Sequence, residues 1–195
     1  SLASVPCAIP GRYLLTALQA TAGGNLFFLK DNILYHKDEL LGEAQVPDIY
    51  KLMDDIAERV PPGANGLLYT PWIWGERAPV EDRTLRAGLY NISLGNTRED
   101  IIRAFFEGIA LNTRWLLNPV ENFLKRRIKS INIVGGGAQS DIWCQIFADV
   151  LNVEICQVEE PLLANLRGAA WIAAVGIKEL RFEEIPALIK FKKIY

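Results

Sequence analysis

The sequence holds one histidine, one methionine and three cysteines in 195 residues. A single imidazole, His36, excludes sites that need several. Cys7, Cys144 and Cys156 lie in apolar surroundings without metal-ligand spacing. They read as reduced core thiols of a cytoplasmic protein, and no disulfide framework is expected. No apolar run is long enough to span a bilayer: the most apolar stretch, Ala169 to Val175, is short and bounded by Arg167 and Gly176. Basic charge is not in surplus either. Lys and Arg number 21 against 23 Asp and Glu, a net of -2, and the two signs are interspersed, which argues against a nucleic-acid surface. An initiator is also missing: the chain opens with Ser1 and its methionine is the internal Met53, as expected of a processed product or a fragment.

What is present is the composition of a packed protein, 50% hydrophobic and 23% charged. The length suits one domain, possibly one and a half, with no internal repeat and no dividing linker. Gly11 to Ala22 reads as a strand ended by Gly23-Gly24, followed by a short helix around Leu26, Phe27 and Leu29. His36 to Gln45 reads as surface. Pro47-Asp48 opens a helix in which Ile49, Leu52, Met53, Ile56 and Val60 recur at helical spacing, and Pro61-Pro62-Gly63 stops it. Leu67 to Tyr69 is a short buried strand, and Gly88 to Ser93 reads as another. Thr97, with Asp100 three residues on, caps a helix to about Leu117, and a second helix covers Val120 to Arg127. Ser130 to Val134 is a buried strand, Gly135-Gly136-Gly137 a tight turn, and Ser140 to Leu151 a helix. Val153 to Val158 is the next strand, and Leu162 to Val175 a helix closed by Gly176. This order predicts an α/β fold with partly parallel pairing.

Two segments carry candidate chemistry. The glycine turn lies between a buried strand and a helix, where backbone N–H groups and a helix N-terminus favour an anion or a polar ring edge. The other reading is a tight strand-to-helix turn without a ligand. A dinucleotide fingerprint would need glycine at position 140, which is Ser140, and no phosphate-loop pattern ending in Gly-Lys-Ser/Thr occurs. The second segment, Pro71 to Arg86, is a long loop rich in Trp, Pro and charge. Glu76, Asp82 and the arginines Arg77, Arg83 and Arg86 serve there either as ligand groups or as salt bridges that pin the loop. Trp72 and Trp74 read as packing anchors.

The run Gly66 to Asn91, with Gly75-Glu76-Arg77-Ala78-Pro79 at its centre, resembles the FGGY carbohydrate kinases. So do Thr97 to Leu116 with its Arg103-Ala104 and Glu107-Gly108 core, the segment from Gly135 through Val153, and Arg167 to Ala170. Ile9 to Tyr13 and Ala22 to Gly24 extend the similarity to most of the chain, in the family's order. The resemblance is to xylulokinase-like members and to their second, C-terminal domain. It implies a ribonuclease-H-like (actin-like ATPase) domain, a mixed sheet flanked by helices. It implies phosphoryl transfer from ATP to a sugar hydroxyl, with magnesium. It places the nucleotide against Gly135, Gly136 and Gly137, with Ser140 and Asp141 at the helix start and Gly95 before the capped helix.

The departures matter as much. The family's early Asp-x-Gly-Thr motif, its general-base aspartate and the phosphate hairpin of its second domain are not found in this sequence. Residues 1–195 therefore resemble a second domain trimmed at both ends, whose partners would be ATP, a small sugar and a missing N-terminal kinase domain. By the same resemblance the strand at Gly11 to Ala22 lacks a neighbour, and its open edge favours a homo-oligomer. The rival expectations are an actin-like sugar-binding regulator without catalysis and a non-enzymatic interaction domain.

Overall fold

The computed structural model describes residues 2–35 and 48–195; His36, the segment after it and Pro47 lie outside them. Strands β1 (Leu2–Pro6) and β2 (Tyr13–Ala17) form an antiparallel hairpin with Leu2 opposite Ala17. This corrects the long unpaired strand expected over Gly11 to Ala22. Gly11, at φ +70, turns the chain, and the residues before it supply the partner. Helix α1 (Gly23–Phe28) runs into a π-helical turn at Leu29–Leu34.

Helix α2 (Ile49–Arg59) starts where Asp48 accepts the Lys51 N–H at 3.0 Å. It buries Met53, Ile56 and Ala57 and exposes Lys51, Asp55, Glu58 and Arg59, as the spacing predicts. Strands β3 (Leu68–Thr70) and β4 (Gly88–Tyr90) pair antiparallel. Helix α3 (Arg98–Leu124) is capped by Asp100, which accepts the Thr97 N–H at 2.7 Å. It is one helix where two were expected. Pro119 forfeits one main-chain bond, but Leu116, Leu117 and Glu121 bury the same face on either side of it, so packing outweighs the break.

Strand β5 (Ser130–Ile133) leads through a 3₁₀ turn at Gly136–Gln139 to α4 (Asp141–Leu151), then β6 (Glu154–Val158). Helices α5 (Ala164–Gly176) and α6 (Ile185–Leu188) and strand β7 (Phe191–Ile194) complete the chain. β6 pairs with β5 in parallel and with β7 antiparallel. The described strands thus form two hairpins and one three-stranded mixed sheet, not one continuous sheet. β5 is an edge strand and only part-buried, against the expectation of a buried one.

The main core joins Leu29, Met53, Phe105, Phe106, Ile109, Trp143 and Ile146. Tyr69 stacks on Phe105 at 3.6 Å between ring centres. β3 lies so close to α3 that a Cβ on Gly108 would clash with the Tyr69 carbonyl oxygen. Cys144 and Cys156 are buried as expected, whereas Cys7, on the hairpin turn, is part-exposed. Trp74 is also no packing anchor, being 81% exposed.

Candidate functional site

Three consecutive glycines follow β5, and the structure separates them. Gly135 has φ +86 and ψ -170, a backbone that side chains rarely adopt. Gly137 has no room: a Cβ there would stand 2.8 Å from Cζ3 of Trp143. Gly136 has neither constraint, since a Cβ would meet nothing within 4 Å and its φ is ordinary. The fold does not require glycine at 136, yet that residue lines a cleft of about 440 Å³.

The cleft is built from α1, α2, α3, the glycine turn and α4. Phe27 and Tyr50 form one wall, edge to face at 6.0 Å. Phe106 and Trp143 form the floor, their rings 5.2 Å apart. Its polar lining is Asp48, Lys51, Asp54, Gln139 and Ser140, with Gly136 and Gly137 beside Ser140 in sequence. Ser140 caps α4: its Oγ accepts the Trp143 N–H at 3.1 Å and donates to Asp54 Oδ1 at 2.7 Å. Burial pushes the Asp54 carboxyl above its ordinary range, with the Ser140 hydroxyl opposing. Apolar walls with a few polar groups suit a planar ring carrying polar edges.

The structure brings Gly136, Gly137 and Ser140 together in this cleft; Gly95, Gly135 and Asp141 do not line it. Gly95 lies in an exposed turn whose N–H meets Ser93 Oγ at 3.3 Å. Gly135 shapes the turn and donates its N–H to the Pro161 carbonyl at 3.0 Å. Asp141 accepts from Lys192 Nζ at 2.6 Å and Gln157 Nε2 at 2.9 Å. These partners, Lys192 first, hold its carboxyl below the usual range. Phe27, Tyr50 and Asp54 are cleft members that no local pattern singles out, since Asp54 is spaced like the other charges of α2.

The Trp-rich loop is pinned by Glu76, which is 2% exposed. Its carboxylate accepts from Ala20 N at 2.8 Å, Arg77 N at 2.7 Å and Asn112 Nδ2 at 2.6 Å. Asn112 also accepts from Trp72 Nε1 and donates to Gln19. Gly75, at φ +69, lies against the Arg83 backbone. Asp82 caps its own turn through Thr84. A larger open hollow of about 1060 Å³ lies beside the C-terminal ends of α3 and α4. Among its charges, Arg127 and Glu121 pair at 2.7 Å, Arg114 donates to the Leu151 carbonyl and Asp149 accepts from Gln145.

Residues 3–177 match the family described as "FGGY family of carbohydrate kinases, C-terminal domain". The chain belongs to that family. This FGGY domain is 31% identical over 193 residues to the xylulose kinase of Staphylococcus epidermidis (strain ATCC 12228 / FDA PCI 1200), covering 96% of this chain and 36% of that protein. It is 36% identical over 121 residues to the Bacillus subtilis (strain 168) xylulose kinase, covering 61% and 23%. Among solved structures, xylulose kinase from Rhodospirillum rubrum superposes with a TM-score of 0.74 at 28% identity, covering 96% of this chain and 36% of that one. Ligand-bound xylulose kinase from Lactobacillus acidophilus gives 0.79 at 25%, covering 100% and 37%. The matched region thus spans from about a quarter to little more than a third of the length of these relatives. No helix among its described residues is long and apolar enough to cross a membrane.

Proposed function

We propose that this chain is the nucleotide-side domain of an ATP-dependent sugar kinase with an actin-like, ribonuclease-H-like architecture, acting in the cytoplasm. The observation that supports it is Gly136: a glycine without a conformational or packing reason, lining an aromatic-walled cleft at a helix start. In this reading the purine lies between the Phe27–Tyr50 wall and the glycine turn, and Gly136 admits the ligand where a side chain would intrude. The sugar is a pentulose such as xylulose, as the names of the relatives suggest.

The chemistry is transfer of the γ-phosphoryl group. The bond from γ-phosphorus to the bridging oxygen breaks, and a bond to the sugar hydroxyl oxygen forms. The hydroxyl proton passes to a base supplied from outside residues 1–195. The residues of this chain hold and orient the nucleotide; Glu76 and Arg77 fix the long loop, as supports and not as catalysts. Magnesium, which neutralises developing phosphate charge in such reactions, finds no ready ligand set here. No cluster of three or more His, Cys, Asp or Glu among the described residues could hold a metal. The cleft carboxylates Asp48 and Asp54 are engaged by Lys51 N and Ser140 Oγ. No step of this reading passes through it.

The test is thermal stabilisation of the full-length protein by ATP. Saturation at 100 times Kd adds about 2.7 kcal/mol. A shift with ATP supports the reading; none at millimolar ATP favours a non-enzymatic interaction domain.

A further inference from the structure

We propose that Asp54 is the residue that selects the base of the nucleotide, by accepting a hydrogen bond from the exocyclic amine of adenine. The inference rests on the reading of the cleft as a nucleotide site and adds what that reading leaves open. Asp54 lines the cleft with Gln139, Ser140, Asp48 and Lys51 among the aromatic rings, and Lys51 is itself paired with Asp55 at 2.7 Å. It reaches the cleft from α2, remote in sequence from the glycine turn. A carboxylate only accepts, so it favours a base edge that donates and opposes one that accepts.

The second oxygen decides which base. Guanine pairs with a carboxylate through two adjacent donors, its ring N–H and its amine, which calls for both oxygens. Asp54 Oδ1 already takes the Ser140 hydroxyl at 2.7 Å, and the same Ser140 Oγ accepts the Trp143 N–H at 3.1 Å. Oδ1 thus already carries one bond at the start of α4, so Oδ2 is the oxygen with both lone pairs open to the base, an asymmetry that favours a single donor over the paired donors of guanine. Adenine offers a single amine on that edge. Inosine offers a carbonyl oxygen in its place, set against the carboxylate. The aromatic walls carry no such discrimination, because every purine presents a similar face.

The experiment uses the full-length kinase and compares kcat/KM for ATP and inosine triphosphate in wild type, Asp54→Asn and Asp54→Ala, with guanosine triphosphate as a third nucleotide. A hydrogen bond to a charged group corresponds to a preference of about 10- to 100-fold. Wild type is expected to favour ATP over inosine triphosphate by that factor. Asp54→Asn retains an oxygen for Ser140 and turns an amide donor to the base, so its preference falls to near parity or reverses. Asp54→Ala loses the preference without reversing it. If both variants weaken the two nucleotides equally and keep the wild-type ratio, Asp54 only braces α2 against α4 and the proposal is wrong. If wild type shows no preference between ATP and inosine triphosphate, or prefers guanosine triphosphate, it is also wrong, while the nucleotide reading of the cleft stands. If wild type binds no nucleoside triphosphate at all, the reading of the cleft fails, and this inference with it.

Discussion

Replacing Gly137 with alanine sets one methyl group against a fixed indole. The new Cβ would lie 2.8 Å from Trp143 Cζ3 and 3.1 Å from Cε3, well inside contact distance. Trp143 has no easy retreat. It is 4% exposed, its Nε1 donates to the Phe106 carbonyl at 3.2 Å, and Phe106 and Phe147 pack on it at 5.2 and 5.5 Å. Overpacking of this kind costs about 1–3 kcal/mol. For a domain of this size each kcal/mol lowers the melting temperature by about 2–4 °C, so Gly137→Ala should melt about 2–12 °C below wild type. Gly136→Ala is the control. It meets no atom and needs no unusual φ, so reduced freedom of the unfolded chain should leave it neutral or more stable by about 0.4–1 kcal/mol. Calorimetry of the two variants side by side reads the difference. Equal melting temperatures for Gly137→Ala and wild type, or a loss at Gly136 as large as at Gly137, would refute the separation of the three glycines.

Arg103→Met should destabilise by about 3–5 kcal/mol in urea unfolding, because Glu107, only 12% exposed, loses its 2.6 Å partner. Glu76→Gln should cost about 1–3 kcal/mol, since the amide NH2 replaces one oxygen and would face either the Asn112 donor or the Ala20 and Arg77 N–H groups. Abolished turnover with fold and both substrate affinities intact would instead make Glu76 catalytic. Asp100 has its carboxyl lowered, first by the Thr97 N–H, so its contribution is present above the unfolded value of about 3.9 and is lost as pH falls through the folded one. Asp100→Asn should therefore differ from wild type at pH 7 and converge with it in acid, as read from unfolding midpoints between pH 7 and 2. The isolated chain should neither phosphorylate xylulose nor hydrolyse ATP in a coupled assay; turnover near 1–100 per second, roughly the usual kinase range, would contradict that. It should also self-associate, because α5 buries none of its residues and Leu166 and Ile172 stand exposed; a monomer by sedimentation at tens of micromolar would count against it.

Local signals carried much of the fold. The spacing of Met53, Ile56 and Val60 marks α2, the Thr97–Asp100 pair marks the start of α3, and the glycine turn marks the passage from β5 to α4. The elements that escaped depend on distant partners. β1 and β7 are almost wholly exposed, so no alternation shows in their sequences. β7 is held from afar, as when Tyr195 N donates to the Ile155 carbonyl at 3.0 Å. Pro119 reads as a stop because local propensity cannot weigh the buried face that carries α3 past it. In the site, the turn was legible from its glycines, but which glycine is open to a ligand depends on Trp143, and Asp54 enters only because α2 packs beside α4.

The most direct test of the central claim is the apparent Michaelis constant for ATP and for sugar in full-length Gly136→Val. The account predicts a large rise for ATP with that for sugar nearly unchanged, because the valine would occupy the nucleotide cleft and little else. An equal rise for both substrates, or none for either, would mean that the glycine turn only shapes the fold.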